Sequence, residues 1–366
     1  MIPLFKPVYN TEKILAELRS VFDTGWTGLG GKTAEFEKVI ADYIGARYCV
    51  SLNSCTSALH LAVKSLKLSP GSKVLTTPLT FVSTNHAILY EGLTPVFCDV
   101  EKTTGVIDPM LVFDYCVKNS VSAIMVVHYG GYSCDMDSIN SIRDTNEIPV
   151  IEDCAHAFGS KYQGKYIGSG NNIYCFSFQA VKNLSMGDGG ALVTNDESLN
   201  TEIRKLRWMG IDRSSFDRST SSGYAWEYTI DRLGYKYYMN DISATIGLCN
   251  LELVASQNAR RKQIADYYRD NLKAELPIYS NDRESSYHIY PVFTKNRNEK
   301  MVQLNSNGIL CGMHYALNCD FNIYKEYERI NDCKNARWFA DHEITLPMSP
   351  TLTDSEVEKV VEVFNK

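Results

Sequence analysis

Asp153 closes the apolar run Val150-Ile151-Glu152-Asp153. About thirty residues later Lys182 follows a second such run, Cys175-Phe176-Ser177-Phe178, just ahead of the small-residue stretch Ser185-Met186-Gly187-Asp188-Gly189-Gly190. A carboxylate and an amine placed at two strand ends match the needs of pyridoxal phosphate. That cofactor takes a lysine for a Schiff base, a carboxylate that keeps its ring nitrogen protonated so that the ring draws electrons, and hydroxyls with backbone N–H groups for its phosphate. Ser54-Cys55-Thr56-Ser57 opens a helix-like stretch, and the unpaired N–H groups and positive dipole end of such a helix would serve the phosphate. The plainer readings stand beside these: a lysine in a Ser/Gly-rich loop is ordinarily a solvated surface residue, and Asp153, Ser54 and Thr56 could be helix caps and nothing more.

Elements that would hold these groups alternate along the chain. Lys73-Val74-Leu75-Thr76-Thr77, Thr94-Pro95-Val96-Phe97-Cys98-Asp99, Ala123-Ile124-Met125-Val126-Val127-His128 and Pro149-Val150-Ile151-Glu152-Asp153 are short apolar or β-branched runs that end in polar residues, with helical stretches between several of them. This rhythm predicts an α/β fold with a mostly parallel sheet, whose ligands gather at the carboxyl ends of strands. From about Thr245 the pattern becomes a long charged helix. A strand-like Tyr287-His288-Ile289-Tyr290-Pro291-Val292-Phe293 and an amphipathic helix near Ser355-Val361 follow it. The expected division is a large domain over 1–245 and a smaller α+β domain over 246–366.

Composition narrows the class. With 37 Lys and Arg against 43 Asp and Glu, a net charge of −6 and no extended basic block, the 366-residue chain is a poor nucleic-acid binder, while a local basic pocket for one phosphate stays open. No apolar run reaches the roughly 20 residues of a membrane span and no signal-peptide h-region appears, so a cytoplasmic protein is expected. The 11 cysteines form no C-x-x-C pair and do not cluster with histidine, which argues against a disulfide framework and a metal site. Gly30-Gly31-Lys32-Thr33 imitates a phosphate loop, but Trp26 stands where that motif needs its first glycine and no strand precedes it, so a turn before a helix near Ala34 is the reading adopted.

In order along the chain, Ile2-Pro3-Leu4-Phe5-Lys6-Pro7, Gly25-Trp26-Thr27, Asn53-Ser54-Cys55-Thr56-Ser57-Ala58-Leu59, Thr80-Phe81-Val82-Ser83-Thr84, Val127-His128-Tyr129-Gly130-Gly131, Gly234-Tyr235-Lys236-Tyr237-Tyr238-Met239-Asn240-Asp241 and His314-Tyr315 resemble the DegT/StrS-type nucleotide-sugar aminotransferases, fold-type I pyridoxal phosphate enzymes. The resemblance runs nearly end to end. It implies Lys182 as the cofactor-bearing lysine and proton shuttle, Asp153 as partner of the ring nitrogen, and His156 as neighbour of the ring hydroxyl. It further implies Ser177, Thr56 and the Cys55 backbone as phosphate ligands, Phe81 as cover for one ring face, and Lys236 as a residue reaching the neighbouring subunit's phosphate site in a homodimer. Cys55 replaces the family's usual glycine, and Asp188 stands where glutamate is commoner. The expected reaction moves an amino group from glutamate to a nucleotide-linked keto-sugar, at carbon four of a 6-deoxy hexose, since His128-Tyr129-Gly130-Gly131 and Cys154-Ala155-His156-Ala157 look more like members acting there than at carbon three. The alternatives are a 3-keto-sugar aminotransferase, a sugar dehydratase, which in this family carries His at the Lys182 position, and a catalytically silent homologue.

Overall fold

The computed structural model describes residues 1–211 and 228–366. Its centre is a seven-stranded sheet in the order β1-β9-β8-β5-β4-β2-β3. The strands are β1 (Tyr48–Leu52), β2 (Lys73–Thr76), β3 (Thr94–Phe97), β4 (Ala123–Val127), β5 (Val150–Asp153), β8 (Ile173–Ser177) and β9 (Gly190–Thr194); the two-residue strands β6 (Lys161–Tyr162), β7 (Lys165–Tyr166) and β10 (Arg283–Glu284) pair outside this sheet. Neighbours run parallel except at β9, which is antiparallel to both β1 and β8. Every residue of β4, β5 and β9 is buried, as expected for strands covered on both faces, so these segments read as continuous apolar runs rather than alternating ones.

Helices α1 (Thr11–Thr24), α2 (Gly31–Ile44), α3 (Cys55–Ser65), α4 (Val82–Tyr90), α5 (Pro109–Lys118), α6 (Met136–Asn146) and α7 (Glu197–Leu206) flank the sheet or connect its strands. In register, Asp153 lies between Val127 of β4 and Cys175 of β8, so the ends of three parallel strands converge on one edge. The turn reading of Gly30-Gly31-Lys32-Thr33 holds. α2 starts at Gly31, three residues before the expected start, and its free N–H groups at Gly30, Lys32 and Thr33 are taken by the Asp241 carboxylate at 2.9–3.2 Å, leaving no donor set for a phosphate.

The long helix Asp241–Asn271 passes through position 245 without a break, and Ile264, Ala265 and Tyr268 near its end join a second apolar cluster. That cluster contains Val292 of β11 (Tyr290–Phe293), Leu346 of β12 (Glu343–Leu346), and Val360 and Phe364 of the helix Asp354–Asn365. Ile2 belongs to it as well and pairs with Ile309. The strand expected over 287–293 is shorter than its apolar pattern. Tyr287 has φ +47°, and His288 donates its N–H to Gly130 O at 3.0 Å, beyond the end of β4, so the segment 287–289 serves the sheet edge instead of a strand partner.

Candidate active site

A cavity of about 430 Å³ opens where β4, β5 and β8 end, and its walls include Cys55, Thr56, Phe81, Asp153, His156, Ser177 and Lys182. All but one of the residues expected from the sequence therefore meet in one place. The exception is Lys236, which is exposed and does not line this cavity of its own chain. It lies on a segment that reaches the start of α3, where Asn53 donates its N–H to Tyr237 O at 2.7 Å.

Asp153 is buried at the tip of β5. One carboxylate oxygen accepts from Thr84 Oγ1 at 2.7 Å and the other from Ala155 N–H at 3.0 Å. Burial pushes its pKa up, against the opposing pull of these hydrogen bonds and the Lys182 charge. A desolvated carboxylate with lone pairs to spare is suited to a cationic N–H partner, which a protonated ring nitrogen would be. Lys182 sits across the same cavity, and desolvation lowers its amine to about 8, so a nucleophilic fraction exists near neutral pH.

The end of the cavity expected to take the phosphate is built from the start of α3. Ser54 caps the helix by accepting from Ser57 N–H at 3.1 Å, and Thr56 and Ser177 add hydroxyls to the cavity wall. Cys55 occupies the first helical turn and is not among the residues with positive φ, so the backbone there does not require the glycine the family usually has. Its thiol donates to Cys175 O at 3.4 Å, and burial raises its pKa well above the ordinary value, which makes it an inert packing group. The glycine this corner does require is Gly190: a Cβ there would lie 2.3 Å from the Ser54 carbonyl carbon and 2.5 Å from Cys55 N. Phe81, 57% exposed, stands at the cavity mouth as the N-cap residue of α4.

His156 is buried, and its pKa is held well below 6.5 by burial and by the Lys182 charge. Its Nδ1 accepts from Gly130 N–H at 3.2 Å, so the ring proton is on Nε2 and is donated to the Tyr315 oxygen at 3.0 Å. Tyr315 thus keeps its own proton for the cavity. His314 also lines the cavity, with Nδ1 bound to Thr345 Oγ1 at 2.7 Å and a pKa lowered to about 4 by burial. His128 is elsewhere: fully buried behind the sheet edge, it pairs through Nε2 with Glu152 at 2.8 Å and accepts Cys134 N–H at 3.1 Å.

Sequence reasoning missed Thr84, Tyr315 and above all His288, whose Nε2 lies 3.4 Å from Lys182 Nζ. Thr84 was inside a segment singled out for its aromatic residue, and its place one turn into α4 is the only local signal it offers. His288 had none, because a loop distant in sequence brings it in. That loop is fastened by Ser286, which donates its hydroxyl to His156 O at 2.8 Å and its N–H to Ser160 Oγ at 3.1 Å. Gly131, at φ +93°, makes room for it, since a Cβ there would stand 2.5 Å from Ser286 Oγ.

The DegT/DnrJ/EryC1/StrS aminotransferase family model matches residues 8–365. The spore coat polysaccharide biosynthesis protein SpsC of Bacillus subtilis is 34% identical over 99% of this chain and 95% of its own. Among solved structures, the sugar aminotransferase CalS13 from Micromonospora echinospora superposes with a TM-score of 0.90 at 31% identity, covering 100% of this chain and 99% of that one. The putative sugar aminotransferase Spr1654 from Streptococcus pneumoniae, in its PMP-form, gives a TM-score of 0.92 at 28% identity over 100% of this chain and 98% of that one, and the same protein is also solved in a PLP-form.

Proposed function

The chain belongs to the DegT/DnrJ/EryC1/StrS aminotransferase family, whose members work with pyridoxal phosphate, and from that premise we propose that it transfers the amino group of glutamate to a nucleotide-linked 4-keto-6-deoxy hexose. The observation that carries the sugar reading is the chemistry of the cavity wall. Apart from Asp153, Lys182 and Asp188, the polar side chains there are neutral: Ser54, Thr56, Thr80, Ser83, Ser177, Gln179, His156, His314 and Tyr315, with no arginine among the described residues. A wall of uncharged donors and acceptors fits the hydroxyl groups of a polyhydroxylated ring. Glutamate as donor, carbon four as the position aminated and a homodimer follow from the resemblance.

Bound pyridoxal phosphate supplies the electron sink and the amine carrier. The chain's own groups do the rest. Asp153 would hold the proton of the ring nitrogen, Thr84 and Ala155 N–H keeping the carboxylate oriented. The N-terminus of α3 with Thr56 and Ser177 would hold the phosphate, and Tyr315, oriented by His156, would donate to the ring's hydroxyl side. Lys182 Nζ would take the proton from the donor's α-carbon and, in the second half of the cycle, return one to the carbon that carries the new amine. Binding energy from the remote nucleotide diphosphate would align the sugar ketone, so a free keto-sugar should react far more slowly.

The test is incubation with glutamate and, separately, 3-keto and 4-keto nucleotide sugars, with the new amine located by NMR. Amination at carbon four is expected, and amination only at carbon three would overturn the regiochemistry. Lys182→Ala should abolish turnover and, after borohydride reduction and peptide mapping, the covalent adduct as well. An adduct on another lysine would overturn the site.

A further inference from the structure

A line of two side-chain amides, half-buried Asn258 and buried Asn183, runs from the long helix to His288. Asn258 donates Nδ2–H to Phe158 O at 3.3 Å, and that backbone oxygen, which can only accept, fixes which way the amide faces. Asn258 Oδ1 then receives Asn183 Nδ2–H at 2.8 Å and Arg261 Nη1–H at 3.3 Å. Asn183 is fixed in the same manner, because its Nδ2 also donates to Ser286 O at 2.8 Å. Its Oδ1 is therefore the atom 3.2 Å from His288 Nδ1, and the hydrogen between them belongs to the imidazole. With its one proton on Nδ1, neutral His288 presents a lone pair at Nε2, 3.4 Å from Lys182 Nζ. Phe5 stacks on this ring at 5.5 Å and 9°, and His156 lies against it at 4.4 Å, so the ring is clamped as well as oriented.

We propose that His288 is the positioning residue for Lys182, accepting a hydrogen bond from its ammonium form and holding Nζ in place while the lysine moves a proton between the substrate carbon and the cofactor. This rests on the reading of Lys182 as the cofactor-bearing lysine. The proton stays on the lysine. Lys182 titrates near 8, whereas burial and the facing Lys182, His156, Arg261 and His314 keep His288 well below 6.5, so transfer to the imidazole runs uphill. A neutral acceptor that cannot itself take the proton steadies the charged lysine without draining it to solvent.

The experiment compares wild type with His288→Gln, whose amide oxygen can replace Nε2 as an acceptor, and His288→Met, of similar bulk but only a weak acceptor. Full-length enzyme freed of cofactor is treated with an amine-acetylating reagent across pH 6–10, and modification of Lys182 is followed by mass spectrometry. A hydrogen bond to the ammonium raises its pKa, so the wild-type labelling midpoint, expected near 8, should fall in the Met variant and return toward wild type in the Gln variant. In the reloaded enzyme the rate of the half-reaction with glutamate should drop by about tenfold or more in Met with little change in glutamate affinity, and recover in Gln. If borohydride traps the cofactor on Lys182 in all three proteins but the Met midpoint is unmoved or rises, the His288 proposal fails alone. If the cofactor is trapped elsewhere, the underlying site reading fails with it. Should the Met variant not fold, the Gln variant still decides: loss of the wild-type midpoint there would overturn the proposal.

Discussion

A cavity that must move protons is edged by groups whose protonation is set by burial. His314 is backed by Glu343, which accepts His314 N–H at 2.9 Å and also binds the Thr345 hydroxyl. Glu343 is buried, and desolvation lifts its pKa to about 8. This folded value lies above the ordinary value of about 4.3, so between roughly pH 4 and 8 the folded state keeps a proton that the unfolded chain releases. The stability contributed is full below pH 4 and is lost as pH rises toward 8. Glu343→Gln removes that titration, so thermal melts of variant and wild type should diverge in the variant's favour from pH 5 to 8. A constant difference across that range would show that Glu343 is ionised throughout. At this scale the sequence disclosed the residues whose type and strand-end position carry the message, Lys182 and Asp153. It hid His288, Thr84 and Glu343, whose roles come from neighbours far away in the chain.

Elements were legible wherever one signal governed them. Ser54 before an apolar helix marks α3, and the polar ends of β4 and β5 mark the site edge. Where two signals compete, tertiary contacts decide. The apolar pattern 287–293 is strand-like throughout, yet only Tyr290–Phe293 finds a partner in β12, because the residues before it are drawn to Gly130 and the 286 loop. The start of α2 is a further case: its cap is no neighbour in sequence but Asp241, the first residue of the long helix, which is 4% exposed and ties the two helix starts together. Removing a charged cap that serves several buried N–H groups costs more than a surface cap, about 2 kcal/mol or somewhat above. Asp241→Ala should lower the urea midpoint accordingly and Asp241→Asn, which keeps an acceptor, by less. An Ala variant as stable as wild type would mean that water satisfies those N–H groups.

On the scale of the whole molecule, the placement of Lys236 and Phe81 bears on assembly. Lys236 is exposed beside the segment that feeds α3, and Phe81 leaves more than half its surface open at the cavity mouth. A second copy of the chain packed against this face would cover Phe81 and bring a lysine to the end of the cavity expected to take phosphate, where the described residues offer hydroxyls and a helix N-terminus but no Lys or Arg other than Lys182. A dianionic phosphate held by dipoles alone gains substantially from one charge-assisted hydrogen bond, worth about 1.5–3 kcal/mol. Lys236→Ala should therefore weaken cofactor retention by roughly 10-fold to 100-fold in equilibrium dialysis, with the melting temperature of the cofactor-free protein unchanged. Because the lysine would act across the interface, mixing Lys236→Ala with Lys182→Ala subunits, at a cofactor concentration too low to load the Lys236→Ala homodimer, should yield hybrid dimers in which one of the two sites has both lysines, and activity should appear in proportion to the hybrid formed. An active monomer at assay concentrations, or no recovery on mixing, would show that Lys236 serves its own chain or none.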